Sequence, residues 1–176
     1  YAPQTTRDSE GRRVMEGWIR MPKPAEEGWI GMFCLPRIVE RKGNHIYFRM
    51  HPNVRAAYSK EITDISCASE DGYMAVFELE DGEQADIGGF LIKRKGNRIQ
   101  TDRTAVYPSF EGAHLLSETP ELTDGCRIEV LADKNLIEVY INDGEYVISN
   151  AVYGTGDFIK VNIEKTVHLY TLKEHD

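Results

Sequence analysis

The stretch Asp133 to Glu145, DKNLIEVYINDGE, brings Asp133, Glu138 and Asp143 within eleven residues of one another. Two carboxylates facing one cavity roughly 5–10 Å apart are what a glycosidase needs, so the spacing invites a catalytic reading. Strand parity argues against it. Successive side chains of a strand point to opposite faces. Ile137, Val139 and Ile141 then share one face, and Leu136, Glu138, Tyr140 and Asn142 the other. In the preceding apolar run, Ile128 and Val130 oppose Arg127, Glu129 and Leu131. The all-apolar sets make the core face. Glu138 is expected on the more polar face, across from Arg127 or a lysine, in a cross-strand pair worth about 0.2–1 kcal/mol. Asp143-Gly144 suits a tight hairpin turn, and Asp133-Lys134-Asn135 another. The acids therefore read as two turn residues and one cross-strand partner.

Other reactive side chains are scattered. Histidines stand at 45, 51, 114, 168 and 175, with no i, i+4 pair and no metal-ligand pattern. Cysteines at 34, 67 and 126 include no CxxC pair and are odd in number. Buried free thiols in a reducing compartment are expected, with neither a disulfide framework nor zinc. Ser66-Cys67 and Ser109 lack a nucleophile-elbow context. Gly88-Gly89 lies in a strand pattern and reads as a bulge in preference to a phosphate loop. Lys93, Arg94 and Arg98 make a basic spot that a solvated hairpin explains. No cofactor is implied. The aromatic residues of the first third, Tyr1, Trp18, Trp29 and Phe33 with Arg37 nearby, could stack on sugar rings or simply fill a β-core.

The elements that must position these residues are strands. Period-2 alternation runs through Arg12 to Ile19, His45 to Met50, Tyr73 to Leu79, Gly89 to Lys93 and Asn97 to Gln100. It continues through Cys126 to Ala132, Leu136 to Ile141, Tyr146 to Val152, Phe158 to Ile163 and Val167 to Leu172. Gly, Asn and Asp bound the segments at regular spacing, the pattern of an all-β antiparallel sandwich or barrel. Pro52 to Lys60 reads as one short helix, and Met21 to Gly31, with two prolines, as a loop or linker. The expected division is a hairpin-like segment over 1–38 and a sandwich over 39–176.

The 176 residues suffice for one sizeable core without staples. Net charge is −8, from 21 basic and 29 acidic residues, which opposes the basic footprint of a nucleic-acid binder. No apolar run approaches the ~18–20 residues of a membrane span, and no signal peptide is present. The sequence begins at Tyr1 and not at methionine, so a missing upstream segment is expected.

Five ordered stretches, YAPQT (1–5), GRRVMEGW (11–18), GWIGMFCLPR (28–37), NRIQTDRT (97–104) and RIEVLADKNLIEVYINDGEYVIS (127–149), resemble glycoside hydrolase family 32, the invertases, sucrose-6-phosphate hydrolases, levanases and inulinases. The first three are similar to the end of the family's catalytic domain. The last is similar to its C-terminal sandwich, and the fourth to an inner strand of that sandwich. The resemblance implies an antiparallel, jelly-roll or concanavalin-like sandwich preceded by strands from the last blade of a β-propeller. It implies a retaining hydrolase of terminal β-fructosyl linkages in sucrose, sucrose 6-phosphate or fructans. The family's Asn-Asp-Pro and Glu-Cys motifs are absent here, and Arg-Asp occurs only as Arg7-Asp8 before Ser9. The chain therefore supplies no catalytic residue and is expected to be inert alone, with a structural or oligomerising role. By position, Trp18 matches a tryptophan walling the fructosyl pocket; Tyr1 and Gln4 are further candidates from the same blade. The expected partners are the propeller domain, a fructose-containing saccharide and a second copy in a homodimer. The alternative is a carbohydrate-binding module using Tyr73, Tyr107, Tyr140, Tyr146 and Tyr153. A cytoplasmic location is expected, with secretion as the alternative.

Overall fold

In the computed structural model, which describes residues 1–26, 28–68, 72–161 and 166–173, every strand pairing is antiparallel. Strands β1 (Gln4–Arg7) and β2 (Arg13–Glu16) form a hairpin around the turn at Asp8. Asp8 closes that turn by accepting from the backbone of Glu10 and Arg12 and from the Arg12 guanidinium at 2.7 Å. The chain then breaks at Gly17. Strand β3 (Trp18–Ile19) pairs with β4 (Met32–Phe33) in a separate two-stranded ribbon. Strands β5 (Arg37–Lys42) and β6 (His45–Met50) return to the first sheet, giving the order β1-β2-β5-β6. The boundary expected at 38/39 falls inside β5. The hydrogen-bonded sheet runs on to Met50, where His51 caps the short helix α1 (Pro52–Ala57). The His51 ring accepts from Asn53 N–H, and Pro52 at the first helical position needs no donor partner.

Beyond the helix come β7 (Lys60–Ile62), β8 (Tyr73–Glu78), β9 (Gln84–Ile87), β10 (Phe90–Lys95), β11 (Arg98–Asp102) and β12 (Leu116–Glu118). They are followed by β13 (Arg127–Asp133), β14 (Leu136–Ile141), β15 (Tyr146–Ala151), β16 (Ile159–Val161) and β17 (His168–Thr171). These make a five-stranded sheet, β12-β11-β10-β9-β16, and a six-stranded sheet, β15-β14-β13-β8-β17-β7. The fold is the expected all-β sandwich. Its core lies between the two sheets: Ala85, Ile87, Phe90, Ile92 and Ile99 meet Phe77, Ile128, Val130, Ile137, Val139 and Ile141, all nearly sealed from solvent. Gly88-Gly89 is not a bulge. Both residues have positive φ, and they form the two-residue loop between Ile87 and Phe90, which are register partners. Strand β9 before it escaped the sequence pattern because Gln84 and Asp86 leave only Ala85 and Ile87 to face the core.

The six-stranded sheet is covered on its second face too. Met74, Leu131 and Tyr140 pack there beneath Met50, Leu35, Val54 and Tyr58, which come from β6, the β4–β5 connection and α1. The first sheet and the helix thus lie over the face on which the sequence placed Glu138.

Candidate functional site

The ribbon that carries Trp18 is built by alternation. Trp18 and Phe33 are register partners, as are Ile19 and Met32. Ile19 and Met32 pack inward against Met21, Ala25, Ala151, Tyr107 and Tyr153. Trp18 and Phe33 therefore stand on the opposite side, where Phe33 is exposed and Trp18 half-buried. Tyr1 lies edge-on to Trp18, ring centroids 6.1 Å apart, and its carbonyl accepts from Trp18 N–H at 2.9 Å. The indole rests on Gly31, whose φ is +84°; a Cβ there would collide with the indole ring. The structure thus brings Trp18 and Tyr1 together and adds Phe33. Gln4 is exposed on β1 opposite Glu16, on the neighbouring sheet. Trp29, also proposed at the start as an aromatic of this region, is partly exposed on the loop.

The base of the ribbon is fixed at Gly17 and Cys34. Cys34 N–H donates to the Gly17 carbonyl at 2.8 Å, and Gly17 N–H donates to Cys34 Sγ at 3.1 Å. Cys34 and Cys126 are buried and in no disulfide, as expected; Cys67 is exposed, because it sits in a surface 3₁₀ turn capped by Asp64. Three residues past Cys34, the backbone of Arg37 belongs to the first sheet, but its side chain crosses into the sandwich.

There it meets Glu138, which is fully buried, at 2.5 Å. This corrects the expectation for Glu138. Its partners are not Arg127 or a lysine. Glu138 Oε1 accepts from Arg37 and, at 2.7 Å, from the Ser149 hydroxyl; Oε2 accepts from the Tyr140 hydroxyl at 2.8 Å. Arg37 also bonds Ser149 and lies 5.8 Å from the Tyr140 ring centroid. Burial opposes the charge on Arg37, but its surroundings, Glu138 foremost, more than offset this and hold its pKa above the usual arginine value. Burial and the Glu138 charge push Tyr140 well up, so its hydroxyl stays a donor. Arg37 Nε has no partner among the described residues.

A parallel arrangement holds the helix. Arg55 grips Glu129 with both terminal nitrogens, one at 2.7 Å, and Arg127 reaches the same carboxylate at 2.9 Å. Burial works against the Glu129 charge, yet the two guanidiniums hold its pKa below the usual carboxylate range. The turn after β14 docks on β6. Asn142 and Asp143 take positive φ; the Gly144 carbonyl accepts from Phe48 N–H at 2.8 Å, and a Cβ on Gly144 would strike the Phe48 carbonyl. Asp143 is a turn residue as expected, and its carboxylate also pairs with Arg49. His45 contacts the Glu145 carbonyl at 2.8 Å, completing a seam along the hairpin tip.

The five tyrosines offered for sugar binding are not free platforms. Tyr140 is completely buried and the other four are partly buried: Tyr73 and Tyr146 against the sandwich core, Tyr107 and Tyr153 beneath the ribbon. Among the described residues, no group of three or more His, Cys, Asp or Glu side chains could hold a metal ion. Sequence reasoning missed Arg37 as the partner of Glu138. The available signal was LIEVYI itself, a strand apolar on both faces apart from one acid, which is how a strand covered on both sides reads.

The fold and this site define a class: a sandwich that carries a small, separate β-sheet on one face and holds an aromatic ribbon beside it. The chain belongs to the glycosyl hydrolases family 32 C-terminal group, whose model matches residues 53–173. It is 24% identical to the sucrose-6-phosphate hydrolase of Vibrio alginolyticus over 98% of this chain and 39% of that protein. It is 27% identical to the Bacillus subtilis sucrose-6-phosphate hydrolase over 85% of this chain and 35% of that one. The sucrose-6-phosphate hydrolase structure from Lactobacillus gasseri shares the fold with a TM-score of 0.77 at 15% identity, covering 98% of this chain and 41% of that chain. The chain thus spans less than two fifths of the length of these curated relatives.

Proposed function

We propose that these residues form the C-terminal part of a retaining hydrolase of terminal β-fructosyl linkages, in which the sandwich holds an aromatic wall against the substrate. The observation that carries this reading is the ribbon: Trp18 and Phe33 face outward while Ile19 and Met32 are fastened to the sandwich. An indole face offers a sugar ring apolar area that polar residues cannot. Trp18 is the substrate-contacting residue, with Tyr1 packed on it and Gln4 on the adjacent strand.

The chain takes no direct part in bond cleavage. A retaining glycosidase needs two carboxyl groups about 5–5.5 Å apart, one free to attack and one to exchange a proton. Glu129 and Glu138 are occupied by arginines, and Glu145 by the Thr123 N–H and the Asn142 amide. The acids come from the propeller part, the partner on which this reading depends. Sucrose 6-phosphate, sucrose and fructans are the substrates to try, given the names of the relatives. Three cysteines outside any disulfide favour a cytoplasmic setting; no helix among the described residues is long and apolar enough to cross a membrane.

Fructose release is measured from 1–176 alone and from 1–176 joined behind the N-terminal part of the Bacillus subtilis relative that the match leaves uncovered. The expected result is no release by the first, release by the second, and a large loss in the second with Trp18→Ala. Fructose release by 1–176 alone would overturn the inert reading, and an unaffected Trp18→Ala the wall.

A further inference from the structure

The inward packing of Ile19 and Met32 is apolar, and a small residue such as Ala151 and two half-buried tyrosines would accept several placements; the polar tie from this side, the Tyr153 hydroxyl donating to the Lys23 carbonyl at 2.8 Å, reaches the loop and not the two strands of the ribbon. The Gly17–Cys34 bonds fix the two strands of the ribbon to each other, and a contact from Arg37 carries a register between the ribbon and the sandwich. Arg37 stands four residues after Phe33, so an extended connection of at most about 14 Å links the aromatic wall to a guanidinium fixed inside the sandwich. The backbone of Arg37 is held by its register partners Met15 and Met50 in the first sheet, while its side chain ends on Glu138 in β14. The contact therefore ties three things together: the first sheet, the ribbon and the sandwich.

We propose that Arg37, Glu138 and Ser149 form a latch that sets the position of the Trp18 ribbon, with Arg37 as the positioning residue for the aromatic wall. Ser149 and Tyr140 satisfy Glu138 from within the sandwich, but neither neutralises it. Among the described residues only Arg37 does so, and only with its strand in place. Any shifted placement leaves a buried carboxylate facing a guanidinium that has moved away, which is the costly state for a buried ion pair. The pair selects one geometry even if a well-packed apolar pair would be as stable. The inference rests on the proposed function for the role of the wall, but the latch itself is tested without any substrate.

Both tryptophans of the chain, Trp18 and Trp29, lie in the ribbon segment. In a Trp29→Phe background, Trp18 alone reports the ribbon, while far-UV circular dichroism reports the sandwich. Acrylamide quenching of Trp18 is compared in the parent, Glu138→Gln, Ser149→Ala, the Arg37→Met/Glu138→Leu pair and the core control Ile137→Val. Local opening of the ribbon in Glu138→Gln is expected to raise the quenching constant about twofold with the strand signal retained. Ser149→Ala, the gentler variant should Glu138→Gln lose its fold, is expected to give a smaller rise. The apolar pair, stable but without the charges that select the register, is expected to raise quenching as well, and quenching equal to the parent's in it would also overturn the latch. Unchanged quenching in Glu138→Gln and Ser149→Ala overturns the latch, as does an equal rise in Ile137→Val. Hydrolysis by the joined protein fails separately: a latch that holds in a chain that cleaves no fructoside refutes the function and leaves the latch standing.

Discussion

The two faces of the six-stranded sheet are both buried, yet they are built on opposite principles. One presents Ile128, Val130, Ile137, Val139 and Ile141 to the five-stranded sheet, with no charged group among them and with Asn150 and Thr171 as buried polar neighbours on the flanking strands. The other presents Glu129, Glu138, Tyr140 and Ser149 among Met74 and Leu131, and is closed by Leu35, Met50, Arg37 and Arg55 from earlier in the chain. The apolar face needs only volume and alternation, so many partners of the right size would serve. The charged face accepts only a partner that brings a cation to Glu138 and adds a second one to the Glu129 carboxylate that Arg127 already meets. The first face makes a sandwich; the second specifies what may lie on it.

That comparison can be broken at neighbouring residues. Glu138→Ala strands the buried Arg37 and is expected to cost about 3–5 kcal/mol in urea unfolding. A loss below about 1 kcal/mol would return Glu138 to the solvent-like face that strand parity assigned. Ile137→Ala, one residue away on the other face, is expected to cost about 2–5 kcal/mol through the cavity it leaves. Its cost should be independent of pH, whereas the charged face should respond to acid. Glu129→Gln is expected to cost about 1.5–3 kcal/mol at neutral pH. The Glu129 carboxyl titrates below its ordinary value of 4.5 in the folded chain, so the unfolded chain binds the proton first. Its contribution is fully present above pH 4.5 and is lost as pH falls through the lowered folded value. Denaturation midpoints between neutral pH and pH 3 should therefore fall less steeply in Glu129→Gln than in the parent. At the rim of the same seam, Asp143 is half-exposed, and Asp143→Ala is expected to change stability by only about 0.2–1 kcal/mol.

The apolar face was legible in the sequence because period-2 alternation is a local property. The strand over Leu136 to Ile141 and its hairpin turn were placed from thirteen residues alone. The charged face was not, because its charges are balanced by residues 101 and 74 positions away, Arg37 for Glu138 and Arg55 for Glu129. Seen from within the strand, a carboxylate awaiting such a partner looks like one facing water. The same limit hid β5, since RIVERK shows its pairing only against β2 and β6, and it left β6, itself read as a strand over His45 to Met50, without its place in the first sheet. Trp18 was picked out by resemblance and not by spacing; the outward placement of Phe33 beside it required the ribbon register.

The most direct test of this division is a double-mutant cycle on the pair that joins the two units. Arg37→Met and Glu138→Leu are measured singly and together by urea unfolding. Each single variant leaves one buried charge unpaired and should cost about 3–5 kcal/mol, while the double variant, with no charge left, should return to within about 1 kcal/mol of the parent. Costs that add to within about 0.5 kcal/mol would mean that Arg37 and Glu138 act independently, and would contradict the account.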